Sequence, residues 1–277
     1  IEHMDVDLVD TERIGADLQE SPGGIDFSHP DFALMCGRTG LKAGARSFFY
    51  TSTDRCRSWR GPYALPSFGT PGVAARTDYL VEDADTCTIF LTAAKRTGGE
   101  GRAFCARTSD GGGSFEFLSW IGPEPEGFTI MPASVRLPDS RILVALRCRG
   151  ASSDGTSAEN WIDLYESEDN GTSWRHVARP VDRTGAGGNP PAFAQLPDGR
   201  LCLVYGYRDP PFGVYARLSK DSGRTWSDAV VLHEDAGGHD IGYPRVVSTP
   251  DRTVLAVYYW HDEPDSERYI AVSRLRP

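Results

Sequence analysis

Basic residues recur at one position of a repeated pattern in this chain. Four of them end short apolar runs that are typical of strands, and these are Arg38 in CGRTG, Lys95 in AAKRTG, Arg147 in ALRCRG and Arg208 in YGYRDPP. The chain carries a net charge of -10, so a cluster of cationic side chains would be opposite in sign to the protein as a whole. Because guanidinium groups bind carboxylates through paired hydrogen bonds, the pattern predicts a pocket for an anionic ligand. The alternative is a set of exposed strand-end charges paired with nearby Asp and Glu.

Further reactive side chains stand where the strand before each of these runs is expected to begin. The five predicted starts are His29-Pro30, Arg76-Thr77, Met131-Pro132, Asn189-Pro190 and Tyr243-Pro244. In an antiparallel pair the start of one strand lies beside the end of the next. We therefore expect His29, Arg76, Asn189 and Tyr243 to join the basic residues at one end of the sheets.

Two aspartates close to these starts are the candidates for proton transfer. They are Asp78 in ARTDY and Asp240 in HDIGY. Cleavage of a glycosidic bond needs one protonated and one ionised carboxyl group, and nearby arginines can separate two pKa values in this way. The alternative role for each aspartate is to cap a turn.

A second repeat identifies the elements that position these residues. The pattern S/T-x-D-x-G-x-S/T-W/F occurs as TSDGGGSF, SEDNGTSW and SKDSGRTW, and in a degenerate form as STDRCRSW, around Asp110, Asp169, Asp221 and Asp54. In such an aspartate turn the carboxylate accepts hydrogen bonds from backbone amides, glycine supplies a positive φ, and the aromatic residue packs between units. The aspartate turns are predicted at the opposite end from the basic residues, so we interpret them as scaffold.

The repeats divide the chain into five units of up to four antiparallel strands. Helical periodicity is absent, and a repeated four-stranded unit is typical of a β-propeller blade. We predict an all-β propeller of five blades that forms a single domain over residues 1–277. The fifth unit has three strands before Pro277, and DVDLVDTERI (residues 5–14) is predicted to supply its fourth strand.

Composition limits the classes of partner. A net charge of -10 and a pI near 5.1 argue against nucleic acid or an anionic membrane surface. No apolar run reaches the roughly 18 residues of a membrane span, and no signal segment opens the sequence, so we expect a soluble protein, either cytoplasmic or secreted with its signal removed. The six cysteines and six histidines are scattered without metal-ligand spacing, so neither a metal nor a cofactor is predicted.

Over roughly residues 25 to 275 the chain resembles the sialidase (neuraminidase) superfamily, specifically the bacterial sialidase-like Asp-box (BNR repeat) proteins. The aspartate turns and the strand-end arginines carry this resemblance. It implies a glycoside hydrolase in which an arginine triad binds the substrate carboxylate, a tyrosine paired with glutamate attacks the anomeric carbon, and an aspartate is the acid and base. By position, Arg147 and Arg208 match the second and third arginines and Tyr243 the nucleophile, while Arg38 or Arg76 matches the first.

The sequence departs from that pattern in two respects. The glutamate position holds Met131, or Asn189 if the register is one blade later, so Tyr243 would need Glu124, Glu126 or Asp240 as its base. The superfamily has six blades, which remains the alternative to our count of five.

Three functions stay open at the level of sequence. The first is a sialidase-like hydrolase that acts on a terminal acidic sugar. The second is a uronate-specific polysaccharide lyase with His29 or Tyr243 as base, which needs no glutamate. The third is a non-catalytic glycan-binding propeller, because a fold does not determine an activity. In each case the expected partner is an acidic carbohydrate.

Overall fold

The predicted fold class is confirmed, since the chain forms an all-β propeller with five blades. The computed structural model describes residues 18–151, 158–264 and 266–277, and within them it contains five antiparallel sheets and no helix. The chain divides into two compact units, Ile1–Glu124 and Pro125–Pro277. The first unit holds two of the sheets and the second holds three. That residues 1–277 form a single domain stays a prediction.

The first unit contains a three-stranded and a four-stranded sheet. Their strands are β1 Ala33–Arg38, β2 Ser47–Ser52 and β3 Arg60–Ala64, followed by β4 Asp78–Val81, β5 Cys87–Ala93, β6 Arg102–Thr108 and β7 Glu116–Trp120. β5 is buried along its whole length, as expected for a strand covered on both faces. Phe49 and Phe115 meet edge to face, 5.5 Å apart, in the core of this unit.

The second unit contains two four-stranded sheets and one three-stranded sheet. Their strands are β8 Phe128–Arg136, β9 Ile142–Ala151, β10 Ala158–Ser167 and β11 Arg175–Val181, then β12 Ala192–Gln195, β13 Leu201–Tyr207, β14 Gly213–Ser219 and β15 Val230–Glu234, then β16 Gly242–Ser248, β17 Val254–Trp260 and β18 Tyr269–Leu275. The first strand of the middle sheet, β12, packs beside the first strands of both neighbours, β8 and β16. The starts of these three strands are therefore close together.

The aspartate turns follow β2, β6, β10 and β14 and have the predicted hydrogen bonds. One carboxylate oxygen of Asp110 accepts from the Thr108 hydroxyl at 2.8 Å and from the Ser114 amide at 2.9 Å, while the other accepts from the Ser114 hydroxyl at 2.7 Å. Asp54, Asp169 and Asp221 repeat this arrangement. The aspartate turns are thus local, self-contained hydrogen-bonding units.

A turn that contains Arg141 connects two neighbouring sheets of the second unit through hydrogen bonds. Arg141, in the turn between β8 and β9, donates to Asp139, to the buried Glu166 on β10 and, at 3.3 Å, to Ser222 in the aspartate turn of the next sheet. Arg200 has the equivalent place one sheet later and donates to the Pro277 carbonyl at 3.0 Å. The Pro277 carbonyl therefore accepts from Arg200 as Ser222 accepts from Arg141.

One predicted strand start is wrong. The predicted first strand at His29-Pro30 is not formed, and Ala33–Arg38 is the strand that pairs with β2 before the first aspartate turn. The ten residues from His29 to Arg38 are too few for two strands and a turn. The predicted closing strand, residues 5–14, lies outside the described residues. The first described backbone pairing is that of Gln19 with Tyr63 on β3.

Candidate functional site

The second unit brings Arg147, Arg208 and Tyr243 together at the end opposite its aspartate turns, as predicted. Arg147 lies on β9 opposite the start of β8, Arg208 follows β13, and Tyr243 is the second residue of β16. Arg147 Nη1 lies 3.5 Å from the Tyr243 hydroxyl, and the Arg208 guanidinium lies 5.4 Å from the centre of the Tyr243 ring. We call these three residues the tyrosine–arginine cluster.

Tyr243 is held in an unusual backbone conformation. Its φ is +49°, and Gly242 before it has φ +100°, which is the left-handed region that side chains rarely adopt. The buried Asn189 fixes this geometry, because its Oδ1 accepts from the Tyr243 amide at 3.0 Å and its Nδ2 donates to the Ile241 carbonyl at 2.9 Å. Asn189 therefore lies buried beneath Tyr243 and positions it, and a direct contact of Asn189 with substrate stays a prediction.

The strained backbone leaves the Tyr243 ring accessible. The residue is 42% exposed, whereas Arg147 is 9% exposed and is held by the Gly187 carbonyl. Backbone strain of this kind persists where the surrounding structure fixes it, and it is concentrated at functional sites. The cluster thus presents one exposed phenol with two largely buried guanidinium groups beside it.

Asp240 supplies a carboxylate next to the tyrosine–arginine cluster. It accepts from the Tyr259 hydroxyl at 2.7 Å and from Arg268 Nε at 3.0 Å, and it lies 3.9 Å from Arg208. Arg208 also donates to the Tyr259 hydroxyl at 2.7 Å. Tyr259, Asp240 and Arg268 therefore form a connected network that begins at the cluster.

The charges in this network favour an anionic ligand. The guanidinium groups of Arg208 and Arg268 both face the carboxylate of Asp240, and that of Arg147 lies beside the Tyr243 hydroxyl. The Tyr259 hydroxyl bond, together with Arg268 and Arg208, lowers the pKa of Asp240 below its ordinary value of 3.8. Asp240 is therefore ionised near neutral pH, so it can accept a proton and is not the protonated acid.

Burial and the bond to Asp240 raise the pKa of Tyr259 above its ordinary value. Tyr259 therefore keeps its proton and acts as a hydrogen-bond donor to Asp240. It cannot replace Tyr243 as an ionised nucleophile.

Among the described residues, no carboxylate bonds the Tyr243 hydroxyl. Met131, at the position where the resemblance implies glutamate, has its sulfur 3.4 Å from Arg147 Nη1. Glu124, a candidate replacement, accepts from the Arg96 amide within the first unit. Asp240 is a carboxylate of this network, and it bonds the Tyr259 hydroxyl instead of that of Tyr243. A role for Glu126 as the base stays a prediction.

A second group of the predicted residues lies in the first unit. Arg38 ends β1 and donates to the Ala75 carbonyl at 3.3 Å, next to Arg76, which forms an ion pair with Glu100 at 2.6 Å. Asp78 begins β4, and Lys95 follows β5. These four residues lie at the end of the sheets that carries no aspartate turn, as predicted.

His29 belongs neither to the tyrosine–arginine cluster nor to the group in the first unit. Its Nδ1 accepts from the Asp31 amide at 3.2 Å, and Asp31 forms an ion pair with Arg55 inside the first aspartate turn. His29 therefore lies at the aspartate-turn end, and its predicted placement beside the arginines is wrong for the reason given above for its strand.

Sequence reasoning missed Tyr259 and Arg268. Tyr259 pairs with Gly242, the residue before Tyr243, just as Arg147 pairs with Ile130, the residue before Met131. The repeat therefore contained a signal for Tyr259, at the position of the fifth unit that corresponds to Arg147. Arg268 comes from the loop before β18, and no repeat marks it.

Several other predictions concern ligands and the membrane. In residues 18–151, 158–264 and 266–277, no three His, Cys, Asp or Glu side chains are placed to hold a metal ion. All six cysteines are free, and four are buried. Within the same ranges the structure has no helix that is long and apolar enough to cross a membrane.

The fold is shared with several solved structures. A protein of unknown function from Dyadobacter fermentans DSM 18053 matches with a TM-score of 0.72 and 22% identity, over 89% of this chain and 74% of that one. The Hadza microbial sialidase Hz136 matches with a TM-score of 0.63 and 16% identity, over 89% of this chain and 54% of its own. The GH93 alpha-L-arabinofuranosidase of Fusarium graminearum matches with a TM-score of 0.57 and 14% identity, over 83% and 85%.

At these identities the similarity shows the fold alone. No curated protein matches the sequence. The family model for a BNR repeat-like domain matches residues 32–256, which is most of the chain. The chain therefore belongs to the BNR repeat-like domain family.

Proposed function

We propose that this protein is a glycoside hydrolase that acts on a terminal acidic sugar such as sialic acid. The observation that carries the proposal is the convergence of Arg147 and Arg208 on the exposed, strained Tyr243. The structural relatives named as a sialidase and as an arabinofuranosidase support a carbohydrate ligand on this fold.

The two arginines of the cluster bind the sugar carboxylate in this proposal. Both are largely buried, with exposed fractions of 9% for Arg147 and 11% for the Arg208 side chain, so little solvent screens them. Arg208 uses Nε and Nη2 on the Ile241 carbonyl and Tyr259. We assign the remaining Nη1 of Arg208 and the guanidinium group of Arg147 to the ligand carboxylate.

Tyr243 is the nucleophile. Its oxygen forms a bond to the anomeric carbon as the bond to the leaving oxygen breaks, and the leaving oxygen takes a proton from solvent or, in an aryl glycoside, departs as the anion. Water then adds its hydroxyl to the anomeric carbon and its proton to the tyrosine oxygen, which breaks the glycosyl-tyrosine bond and restores the phenol. Arg147 donates to the phenol oxygen, so a cation stands where negative charge develops during the attack. The ionised Asp240 accepts the phenol proton, by way of a solvent molecule because its direct bond is to Tyr259.

A non-catalytic glycan-binding protein is the second candidate. It is favoured by one observation, the lack of a carboxylate on the Tyr243 hydroxyl among the described residues. The lyase alternative loses one of its two candidate bases, because His29 lies at the aspartate-turn end.

Hydrolysis of fluorogenic aryl glycosides tests the proposal, because an aryl leaving group needs little help from a general acid. The panel holds the glycosides of sialic acid, glucuronic acid and the uncharged arabinofuranose. We expect release from an acidic sugar, and a loss of kcat/KM of about a hundredfold or more in Arg147→Ala and Arg208→Ala, since each removes a charged hydrogen bond to the carboxylate.

Arg224→Ala is the matched control, because Arg224 is an exposed arginine of an aspartate turn and should leave the rate unchanged. Equal rates for the acidic and uncharged sugars, or full activity in both cluster variants, would refute the proposal. Binding of an acidic sugar without release of the fluorophore would support the non-catalytic candidate.

A further inference from the structure

One short loop of the second unit accepts a hydrogen bond from every member of the tyrosine–arginine cluster. Residues 184–189 lie between β11 and β12, and we call them the glycine loop. The accepting atoms are, in chain order, the Thr184 carbonyl for the Arg208 amide at 2.9 Å, the Gly187 carbonyl for the Arg147 side chain, and Asn189 Oδ1 for the Tyr243 amide at 3.0 Å. The glycine loop is therefore the common support of the three residues.

The glycine loop has little intrinsic preference for the conformation that it adopts. Three of its six residues are glycines with φ between +71° and +78°. Because glycine loses more conformational freedom on folding than any other residue, such a segment needs hydrogen bonds from outside to stay in one conformation. One of these bonds is at the surface, where the Ala186 amide donates to Asp209 at 2.9 Å.

Asn160 holds the glycine loop on its buried side. It lies on β10, is 4% exposed, and comes two residues before the cross-strand partner of Arg147. Its carbonyl accepts from the Thr184 amide at 2.8 Å, and its Nδ2 donates to the Gly185 carbonyl at 3.2 Å. Its side chain also occupies the space next to Gly188, since a Cβ there would lie 2.8 Å from the Asn160 Cβ and Oδ1. One buried residue thus contacts the loop at three positions.

The hydrogen bonding of Asn160 is costly for a purely structural residue. Within residues 18–151, 158–264 and 266–277, its Oδ1 is buried without a hydrogen-bond partner, and so is the Thr184 hydroxyl. A buried acceptor without a partner lowers stability, so packing alone would favour an apolar side chain at this place. The amide is explained by what its Nδ2 does, which is to bind the glycine loop.

We propose that Asn160 is a positioning residue for the whole tyrosine–arginine cluster and that it acts through the glycine loop. Its effect on catalysis rests on the proposed function, whereas the positioning is a property of the fold. Without the Nδ2 bond the loop is free to change conformation, and the two arginines and Tyr243 lose their common support. A shift of about 1 Å between the groups that bind a substrate and the group that attacks it is enough to slow a reaction about a hundredfold.

Amide hydrogen exchange measured by NMR tests the positioning without any ligand. The variants are Asn160→Ala and Asn160→Leu, of which the second keeps most of the buried volume, so an effect that they share reports the lost hydrogen bond. We expect exchange of the Arg208 and Tyr243 amides to accelerate about tenfold or more in both. The Gly223 amide, which donates to the Ser219 hydroxyl in an aspartate turn at 2.8 Å, should be unchanged.

A second pair of variants perturbs the contact from the side of the loop. Gly188→Ala places a methyl group against Asn160 at a φ of +71°. Gly199→Ala is the matched control, because its φ is +87° and a Cβ there meets nothing within 4 Å. We expect Gly188→Ala to accelerate exchange of the Arg208 and Tyr243 amides and Gly199→Ala to leave both unchanged.

The kinetic measurement uses an acidic aryl glycoside that the unmodified protein hydrolyses. We expect Asn160→Ala to lower kcat and to raise KM, with a loss of kcat/KM of about tenfold or more, because both the nucleophile and the arginines are displaced. Gly199→Ala should keep the full rate.

The outcomes distinguish the two proposals. Unchanged exchange of the Arg208 and Tyr243 amides in the Asn160 variants, or an equal acceleration at Gly223, would overturn the positioning role. Accelerated exchange with an unchanged kcat/KM would overturn its importance for catalysis. Accelerated exchange in a protein that hydrolyses no glycoside would contradict the proposed function and leave the positioning by Asn160 standing.

Discussion

Neighbouring side chains set the charge of Asp240 and the backbone conformation of Tyr243. Asn189 holds Tyr243 through two backbone hydrogen bonds, and the space around Asn189 is closed by glycines. A Cβ on Gly206 or Gly242 would lie within 2.8 Å of Asn189 side-chain atoms. The exposed Tyr243 is therefore positioned by the buried Asn189 and the glycines packed around it.

The pKa of Asp240 gives a test at this scale. The bond from Tyr259 is the largest contribution that lowers this pKa, and Arg268 adds to it. Tyr259→Phe and Arg268→Gln should therefore each raise the pKa of Asp240. Carbon-13 NMR titration of the side-chain carboxyl measures the change. An unchanged pKa in Tyr259→Phe would show that the network does not control the charge of Asp240.

At the scale of elements, the aspartate turns pack against the preceding sheet and not only within themselves. Gly223 has φ +86°, and a Cβ there would lie 2.4 Å from Cδ2 of the fully buried Leu164 on β10. The glycine of this turn thus meets two demands, a left-handed backbone and a close approach to the neighbouring sheet.

The two demands can be separated with a matched pair of variants. Gly199 has nearly the same φ, +87°, but a Cβ there meets nothing within 4 Å. Gly199→Ala should cost about 1–2 kcal/mol of unfolding free energy from backbone strain. Gly223→Ala should cost about 1–3 kcal/mol more, because it also overpacks a buried leucine. Urea denaturation measures both, and equal losses would show that packing against Leu164 makes no contribution.

At the scale of the whole molecule, the aspartate turns make stability depend on pH. Hydrogen bonds from the Ser114 hydroxyl and amide and from Thr108 lower the pKa of Asp110 from 3.8 to about 2, and those of Asp54 and Asp221 are also lowered to about 2. Each carboxylate thus stabilises the folded chain at pH values above 3.8. This contribution is lost as the pH falls through about 2.

Asp110→Asn should therefore reduce the unfolding free energy at pH 6, and its difference from the unmodified chain should shrink between pH 4 and pH 2. The measurement is the urea midpoint across that range. Asp228→Asn is the control, because Asp228 is exposed and lies just outside an aspartate turn. A difference that stays constant down to pH 2 would mean that the charge of Asp110 does not stabilise the fold.

The sequence predicted the parts of this molecule that repeat and missed those that do not. The turn chemistry around Asp110, Asp169 and Asp221 fixes the ends of the sheets, which is why Arg147, Arg208 and Tyr243 were placed correctly. His29 was misplaced because the first sheet lacks the strand that the alignment assumed. Arg268 lies in an irregular loop, and the burial of Asn189 depends on contacts with a neighbouring sheet that no local pattern encodes.

Separate measurements of binding and turnover test most directly the proposal that Tyr243 is the nucleophile. Once an acidic glycoside is found to be hydrolysed, its rate of release and its dissociation constant are measured for the unmodified protein and for Tyr243→Phe, which removes only the phenol oxygen. We predict that affinity changes less than about threefold, because the arginines hold the carboxylate, and that kcat falls by about a thousandfold or more. Retention of kcat in Tyr243→Phe would show that Tyr243 is not the nucleophile.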